Sequence, residues 1–178
     1  LRAKGEEDVA QEIALVADTM RRHVERELAR ARMAAAAPDA TSAVGLVVER
    51  LIAVLRRTPA GSRLDWVVEI PAGTLARIDA DDLAEALGNL IENAARHARR
   101  RVAIRAREKA GLIVVTVADD GGGIPPQRLD EVLRRGGRLD NLGSGAGLGL
   151  AIVQDVAEAW GGQLRLRNGA AGLEAEFG

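Results

Sequence analysis

Asn89, Asn93 and His97 recur at steps of four, which puts two carboxamides and an imidazole on one face of a helix. Amides compete with the backbone for hydrogen bonds and are poor helix-interior residues unless their side chains have a task. Two of them one turn apart, flanked by Glu92 and Arg96, make a face that can hold a ligand; a solvated helix face reads the same way. A second stretch, Asp119-Asp120-Gly121-Gly122-Gly123-Ile124-Pro125, ends an apolar run with two carboxylates and three glycines. Asp119 can accept a hydrogen bond from a ligand amine. Gly121 and Gly123 let a ligand approach the backbone, because neither carries a Cβ. The plainer alternative is a sharp turn with solvated aspartates. The third stretch, Gly143-Ser144-Gly145-Ala146-Gly147-Leu148-Gly149-Leu150, opens an apolar helical pattern. Glycine backbone at a helix N-terminus offers N–H groups and a dipole to phosphate. It is neither a dinucleotide fingerprint nor a P-loop, since the last glycine of the first and the Gly-Lys-Ser/Thr of the second are missing. A flexible linker is the alternative, but linkers seldom run straight into an apolar helix start. Between the glycine stretches, Arg134, Arg135 and Arg138 can meet phosphate oxygens or sit on an ordinary surface loop. The length of that segment suits a lid.

The bulk composition narrows the chemistry. There is no cysteine, so thiol nucleophiles, disulfides and cysteine-ligated metals are excluded. The two histidines, His23 and His97, are too far apart for a zinc-site spacing. A net charge of −1 gives no electrostatic footprint for nucleic acid. No run approaches the roughly 18 apolar residues of a membrane span, and no signal peptide is visible. The chain does not begin with Met, so a membrane anchor elsewhere in a longer protein stays open. Aromatics are 2%, so the core must be built from Leu, Val, Ile and Ala.

Those residues need elements to position them. Leu83, Leu87, Leu90, Ile91 and Ala94 give the asparagine helix an apolar face, over 81–98. Asp81 or Asp82 is expected as its N-cap. Val44, Val47, Val48, Leu51, Ile52 and Leu55 mark an earlier helix, and Leu148, Ile152, Val153, Val156 and Trp160 a later one over 147–160. Strands are expected over 64–70, 75–78, 101–107, 112–118, 163–167 and 173–177. Helices mixed with antiparallel hairpins, without strict strand–helix alternation, predict an α+β fold: a two-layer α/β sandwich with a mixed sheet and helices on one face. One long helix precedes it over 6–34, its stripe Val9, Ile13, Val16, Met20, Val24, Leu28 and Ala31 close to a heptad seam. At 1.5 Å per residue that rod is about 40 Å long, and its stripe calls for a partner helix or the rest of the chain.

Taken together and in this order, the three stretches resemble the N box (Asn89–His97) and the two glycine boxes (Asp119–Pro125 and Gly145–Leu150) of sensor histidine kinases. The ATP-binding catalytic domain of those kinases has the Bergerat fold shared with gyrase, Hsp90 and MutL. The resemblance covers residues 40–178 and implies ATP and Mg²⁺ as ligands. It implies that Asn93 ligates Mg²⁺ with Asn89 in support, and that Arg96 and His97 lie near phosphate or ribose. Asp119 would bind the adenine amine in a pocket shaped by Gly121, Gly123 and Ile124. Gly145, Gly147, Leu148 and Gly149 would hold the end of the lid against the phosphates. The 130–141 stretch is most similar to the lid of PhoQ-type kinases, whose lid arginine falls on Arg138. A second lid arginine of that type would fall near Gly143 and is absent, and Leu133 replaces the usual lid aromatic.

The resemblance also implies two parts: residues 1–37 as the second helix of a dimerisation hairpin, and 38–178 as the catalytic domain. His23 is followed by Val24-Glu25-Arg26-Glu27, which does not match a phospho-acceptor box, so the acceptor histidine is expected on a helix absent from this sequence. ATP-hydrolysing members of the superfamily carry a glutamate where this chain has Asn89, and an amide cannot take a proton from water. The implied reaction is therefore transfer of the γ-phosphoryl of ATP to histidine, for relay to a response regulator receiver domain. A Bergerat-fold ATPase, a serine kinase and a nucleotide-binding module without turnover are the alternatives. A second kinase protomer is an implied partner and nucleic acid is not. The place implied is the cytoplasmic side of a bacterial inner-membrane protein.

Overall fold

The computed structural model describes residues 40–125, 127 and 149–178. The expected long helix, the lid with Arg138, and Gly145, Gly147 and Leu148 lie outside the described residues. What is described belongs to the unit Pro38–Gly178.

Its elements run β1 (Ser42–Ala43), α1 (Val44–Leu55), β2 (Asp65–Glu69), β3 (Leu75–Ala76), α2 (Ala80–His97), β4 (Arg101–Lys109), β5 (Leu112–Asp119), α3 (Gly149–Ala159), β6 (Leu164–Asn168) and β7 (Leu173–Phe177). Five strands form one sheet in the order β2-β4-β5-β7-β6. β2 runs parallel to β4 and the other pairs are antiparallel, so the sheet is mixed, as the sequence predicts. β1 and β3 form a separate antiparallel pair.

Alternation along the strands divides the sheet into two faces. Val102, Ile104 and Ala106 of β4, Val115 and Val117 of β5, and Leu173, Ala175 and Phe177 of β7 are buried in one cluster with the helices. The other face carries ion pairs: Arg105 with Glu69 at 2.7 Å, Arg107 with Glu176 at 2.9 Å, and Arg167 with Glu174. The arginines of these pairs are exposed, whereas Glu174 and Glu176 are largely covered; the solvent-exposed Arg105–Glu69 pair adds little stability.

α2 is the central helix. Its predicted stripe is buried in full: Leu83, Leu87, Leu90, Ile91 and Ala94, joined by Ala86 and Ala95. α1 buries Val44, Val48 and Ile52 at steps of four, and α3 buries Leu150, Val153 and Val156. The helix start differs from expectation. Asp79 is the N-cap, its carboxylate accepting the Asp81 N–H at 2.8 Å. Asp82 instead lies inside the first turn, buried, and accepts the Trp160 indole N–H at 2.8 Å. Three aspartates within four residues offer the same capping signal, and only packing against Trp160 separates them.

Candidate nucleotide site

α2 presents its polar face between two glycine segments. A Cβ built on Gly149, the first residue of α3, would lie 2.9 Å from Asn89 Oδ1. A Cβ on Gly121, just past β5, would lie 2.5 Å from the His97 carbonyl oxygen. Asn89 and His97 are two turns apart, about 12 Å along the axis. The structure therefore brings Asn89 to Gly149 and the C-terminal end of the helix to Gly121, with Asn93 between them along the axis.

The side chains on this stripe differ in their engagements. Asn89 Nδ2 donates to the Glu85 carbonyl one turn back at 2.8 Å, which turns its Oδ1 toward Gly149. Asn93 is half-buried, and its side chain makes no hydrogen bond to another described residue. Arg96 pairs with Glu92 at 3.0 Å, both side chains largely in solvent. His97 is exposed at the end of the helix.

Asp119 ends β5 and is only 7% exposed. Its Oδ1 accepts the Gly121 N–H at 2.8 Å and the Leu173 N–H at 3.4 Å. Oδ2 has no such bond to a described residue. No fully buried side-chain oxygen or nitrogen among the described residues lacks a partner, so Oδ2 opens to solvent. One oxygen is pinned and the other is free to accept a ligand amine. Burial raises the pKa of this carboxyl, opposed by the two backbone N–H groups and by the nearby His97.

Several residues that shape the site were missed in the sequence. Asp120 Oδ1 accepts the N–H groups of Arg99, Arg100 and Arg101 at 2.8, 2.9 and 3.0 Å. It thereby ties the α2–β4 connection to the end of β5. Those bonds, Arg100's foremost, lower its pKa. Asn168 at the end of β6 is bonded to the backbone of Ile124. Gly172 lies against Asp119 and Gly121. An acidic neighbour in Asp-Asp was the only signal for Asp120. Asn168-Gly169 reads as ordinary turn chemistry.

As for Mg²⁺, no group of three His, Cys, Asp or Glu residues among the described residues forms a metal cage. Mg²⁺ commonly uses few protein ligands and completes its shell with phosphate oxygens and water. The free carboxamide of Asn93 fits that role, its Oδ1 being a hard oxygen donor.

Residues 78–177 match the family described as histidine kinase-, DNA gyrase B- and HSP90-like ATPases, which is more than half of the chain. The chain belongs to this ATPase family. Within the family its relatives are sensor kinases. It is 42% identical over 114 residues to the sensor protein kinase CarS of Pseudomonas aeruginosa, covering 64% of this chain and 23% of that protein. It is 34% identical over 120 residues to the two-component sensor PhoQ of the same organism, covering 67% of this chain and 27% of that protein. The chain thus spans about a quarter of the length of these relatives. Among solved structures it is similar to the mycobacterial sensor histidine kinase MprB, with a TM-score of 0.63 at 28% identity over 76% of this chain and 92% of that one. The ATP-binding domain of PrrB from Mycobacterium tuberculosis shares the fold, with a TM-score of 0.62 at 23% identity, over 78% of this chain and 94% of that one. The domain is thus similar to the catalytic part of sensor histidine kinases, and no described helix is long and apolar enough to cross a membrane.

Proposed function

We propose that this ATPase-family domain binds Mg-ATP along the polar face of α2 and supplies the γ-phosphoryl group to a histidine on a separate dimerisation helix. The observation that carries the reading is the paired approach of Gly149 to Asn89 and Gly121 to His97. Adenine meets Asp119 at the Gly121 end, and the phosphates run toward Asn89 and the N-terminus of α3. Asn93 contributes Oδ1 to Mg²⁺, which neutralises phosphate charge when bound. Arg96 and Arg138 are the cations assigned to the phosphates, and Arg96 gives up its exposed bond to Glu92 at little cost.

In the transfer, the bond between the γ-phosphorus and the β–γ bridging oxygen breaks, and a bond from a histidine ring nitrogen to phosphorus forms. ADP leaves, and the ring proton passes to a base beside the acceptor. Asn89 supports transfer to histidine over hydrolysis, because its amide donates to Glu85 and cannot act as a base toward water. The phosphohistidine then serves an aspartate of a response regulator receiver domain, and in the full protein two protomers pair through their dimerisation helices. On this reading the domain works on the cytoplasmic side of a bacterial inner-membrane protein. The chain alone binds ATP without autophosphorylating.

Calorimetric titration with a nonhydrolysable ATP analogue tests the reading on the unsubstituted chain, Asn93→Ala and Asp119→Ala. Both variants are expected to lose affinity about tenfold or more. Equal affinity across the three would sink the site. Sustained phosphate release from ATP would favour a hydrolase. Tight ATP binding with no transfer to a supplied hairpin bearing an acceptor histidine would count against the kinase.

A further inference from the structure

One short turn grips both ends of the Asp119 loop. Asn168 Oδ1 accepts the Ile124 N–H at 2.9 Å, and Asn168 Nδ2 donates to the Ile124 carbonyl at 2.7 Å. A single side chain thus serves Ile124 as a neighbouring strand would. Gly123 beside it has φ +67°, and a Cβ there would lie 2.6 Å from Asn168 Oδ1. At the far end of the turn, a Cβ on Gly172 would lie 2.5 Å from the Asp119 carbonyl oxygen and 2.6 Å from the Gly121 nitrogen. Leu173 N–H reaches Asp119 Oδ1, and Gly169 N–H closes the turn on the Gly172 carbonyl at 2.8 Å.

Between Asp119 and Ile124 the chain is Asp120 and three glycines, the backbone with the most freedom to lose. A carboxamide can accept from the N–H and donate to the C=O of one residue in this way at neutral pH, whereas an ionised carboxylate can only accept. Without it, the loop that carries Asp119 keeps its upstream anchor and loses its downstream one.

We infer that Asn168 is a positioning residue for base recognition: it fixes Gly123 and Ile124, and through them the Asp119 carboxylate, in the arrangement that selects adenine over guanine. This rests on the ATP reading above. The chemistry is that an ionised carboxylate only accepts. Adenine presents an amine where guanine presents a carbonyl, so discrimination depends on where that carboxylate is held.

The test compares ATP and GTP analogues by competition titration on the intact chain and on Asn168→Ala, well below the unfolding temperature. Affinity for the ATP analogue is expected to fall about tenfold, with that for the GTP analogue changed about twofold at most, so that the preference narrows. Equal losses for both nucleotides, as a general loss of folded protein would give, overturn the inference. So does an unchanged ATP affinity. Asp119→Ala is the reference: if it also leaves ATP affinity intact, the ATP site itself fails, whereas a loss there with none in Asn168→Ala removes only the role of Asn168. If Asn168→Ala does not fold, hydrogen exchange on the unsubstituted chain decides. The Ile124 amide should gain protection with the ATP analogue and not with magnesium tripolyphosphate, and no gain with the ATP analogue overturns the inference.

Discussion

The indole N–H of Trp160 donates to Asp82 Oδ2 at 2.8 Å, tying the C-terminal end of α3 to the first turn of α2. Asp82 is buried, so its carboxylate depends on protein partners in place of water. Trp160→Phe removes the donor and keeps most of the ring. It is expected to lower unfolding stability by about 1–2 kcal/mol, read as a shift of the urea midpoint with an unchanged slope. A midpoint equal to that of the unsubstituted chain would show that the bond contributes nothing.

Asp119 sets stability against binding. Burial raises its folded pKa above the ordinary 3.8, so its ionised form costs stability at neutral pH. That cost is relieved as pH falls through the folded value. Asp119→Asn keeps an Oδ1 acceptor for Gly121 and Leu173 and carries no charge. Its thermal stability at neutral pH should equal or exceed that of the unsubstituted chain, while ATP affinity falls about ten- to a hundredfold. Thermal melts and calorimetry on the same samples check both halves.

Asp120 has the opposite sign. Its three backbone bonds hold the folded pKa below 3.8, so the ionised form contributes stability that is full above the unfolded value and lost as pH falls through the folded one. The advantage of the unsubstituted chain over Asp120→Asn should be present at pH 7 and fade below about pH 4. Equilibrium unfolding across an acid series reads this directly, and a constant difference down to pH 2 would contradict it.

Two adjacent glycines, Gly121 and Gly122, should respond differently to alanine. At Gly121 the new Cβ meets backbone, the His97 carbonyl oxygen at 2.5 Å, which cannot swing aside. Gly121→Ala should cost about 1–3 kcal/mol. At Gly122 nothing lies within 4 Å, so Gly122→Ala should leave stability within about 0.5 kcal/mol. Chemical denaturation of the pair is enough to check the contrast.

The β4–β5 hairpin turns on Ala110 and Gly111, with φ of 52° and 80°. Two positive φ values are the mark of a type I′ turn, in which Asn-Gly is favoured. Alanine at the first position carries a steric penalty that asparagine largely avoids. Ala110→Asn should stabilise the domain by about 0.5–1 kcal/mol, seen as a rise in Tm of a few degrees.

The sequence by itself determined the buried faces of α1, α2 and α3, the alternation of β4 and β7, the fold class and the family. Each of these follows from local periodicity or from short motifs: the Leu83–Ala94 stripe of α2, for example, is buried as its spacing requires. It also marked Asn89, Asn93, Asp119 and the glycine stretches as one set in chain order. Tertiary structure decided what each of those residues touches. Asp79, Asp81 and Asp82 are equivalent as capping signals until Trp160, 78 positions from Asp82, takes one of them. Gly121, Gly122 and Gly123 are identical letters until His97 and Asn168 crowd two of the three. Asn168 carries no local mark of its role, because its partner Ile124 is 44 residues away. Periodicity records which face a residue lies on. The polar contacts that hold the site join distant segments, and only the packed sheet and helices bring them within hydrogen-bond reach.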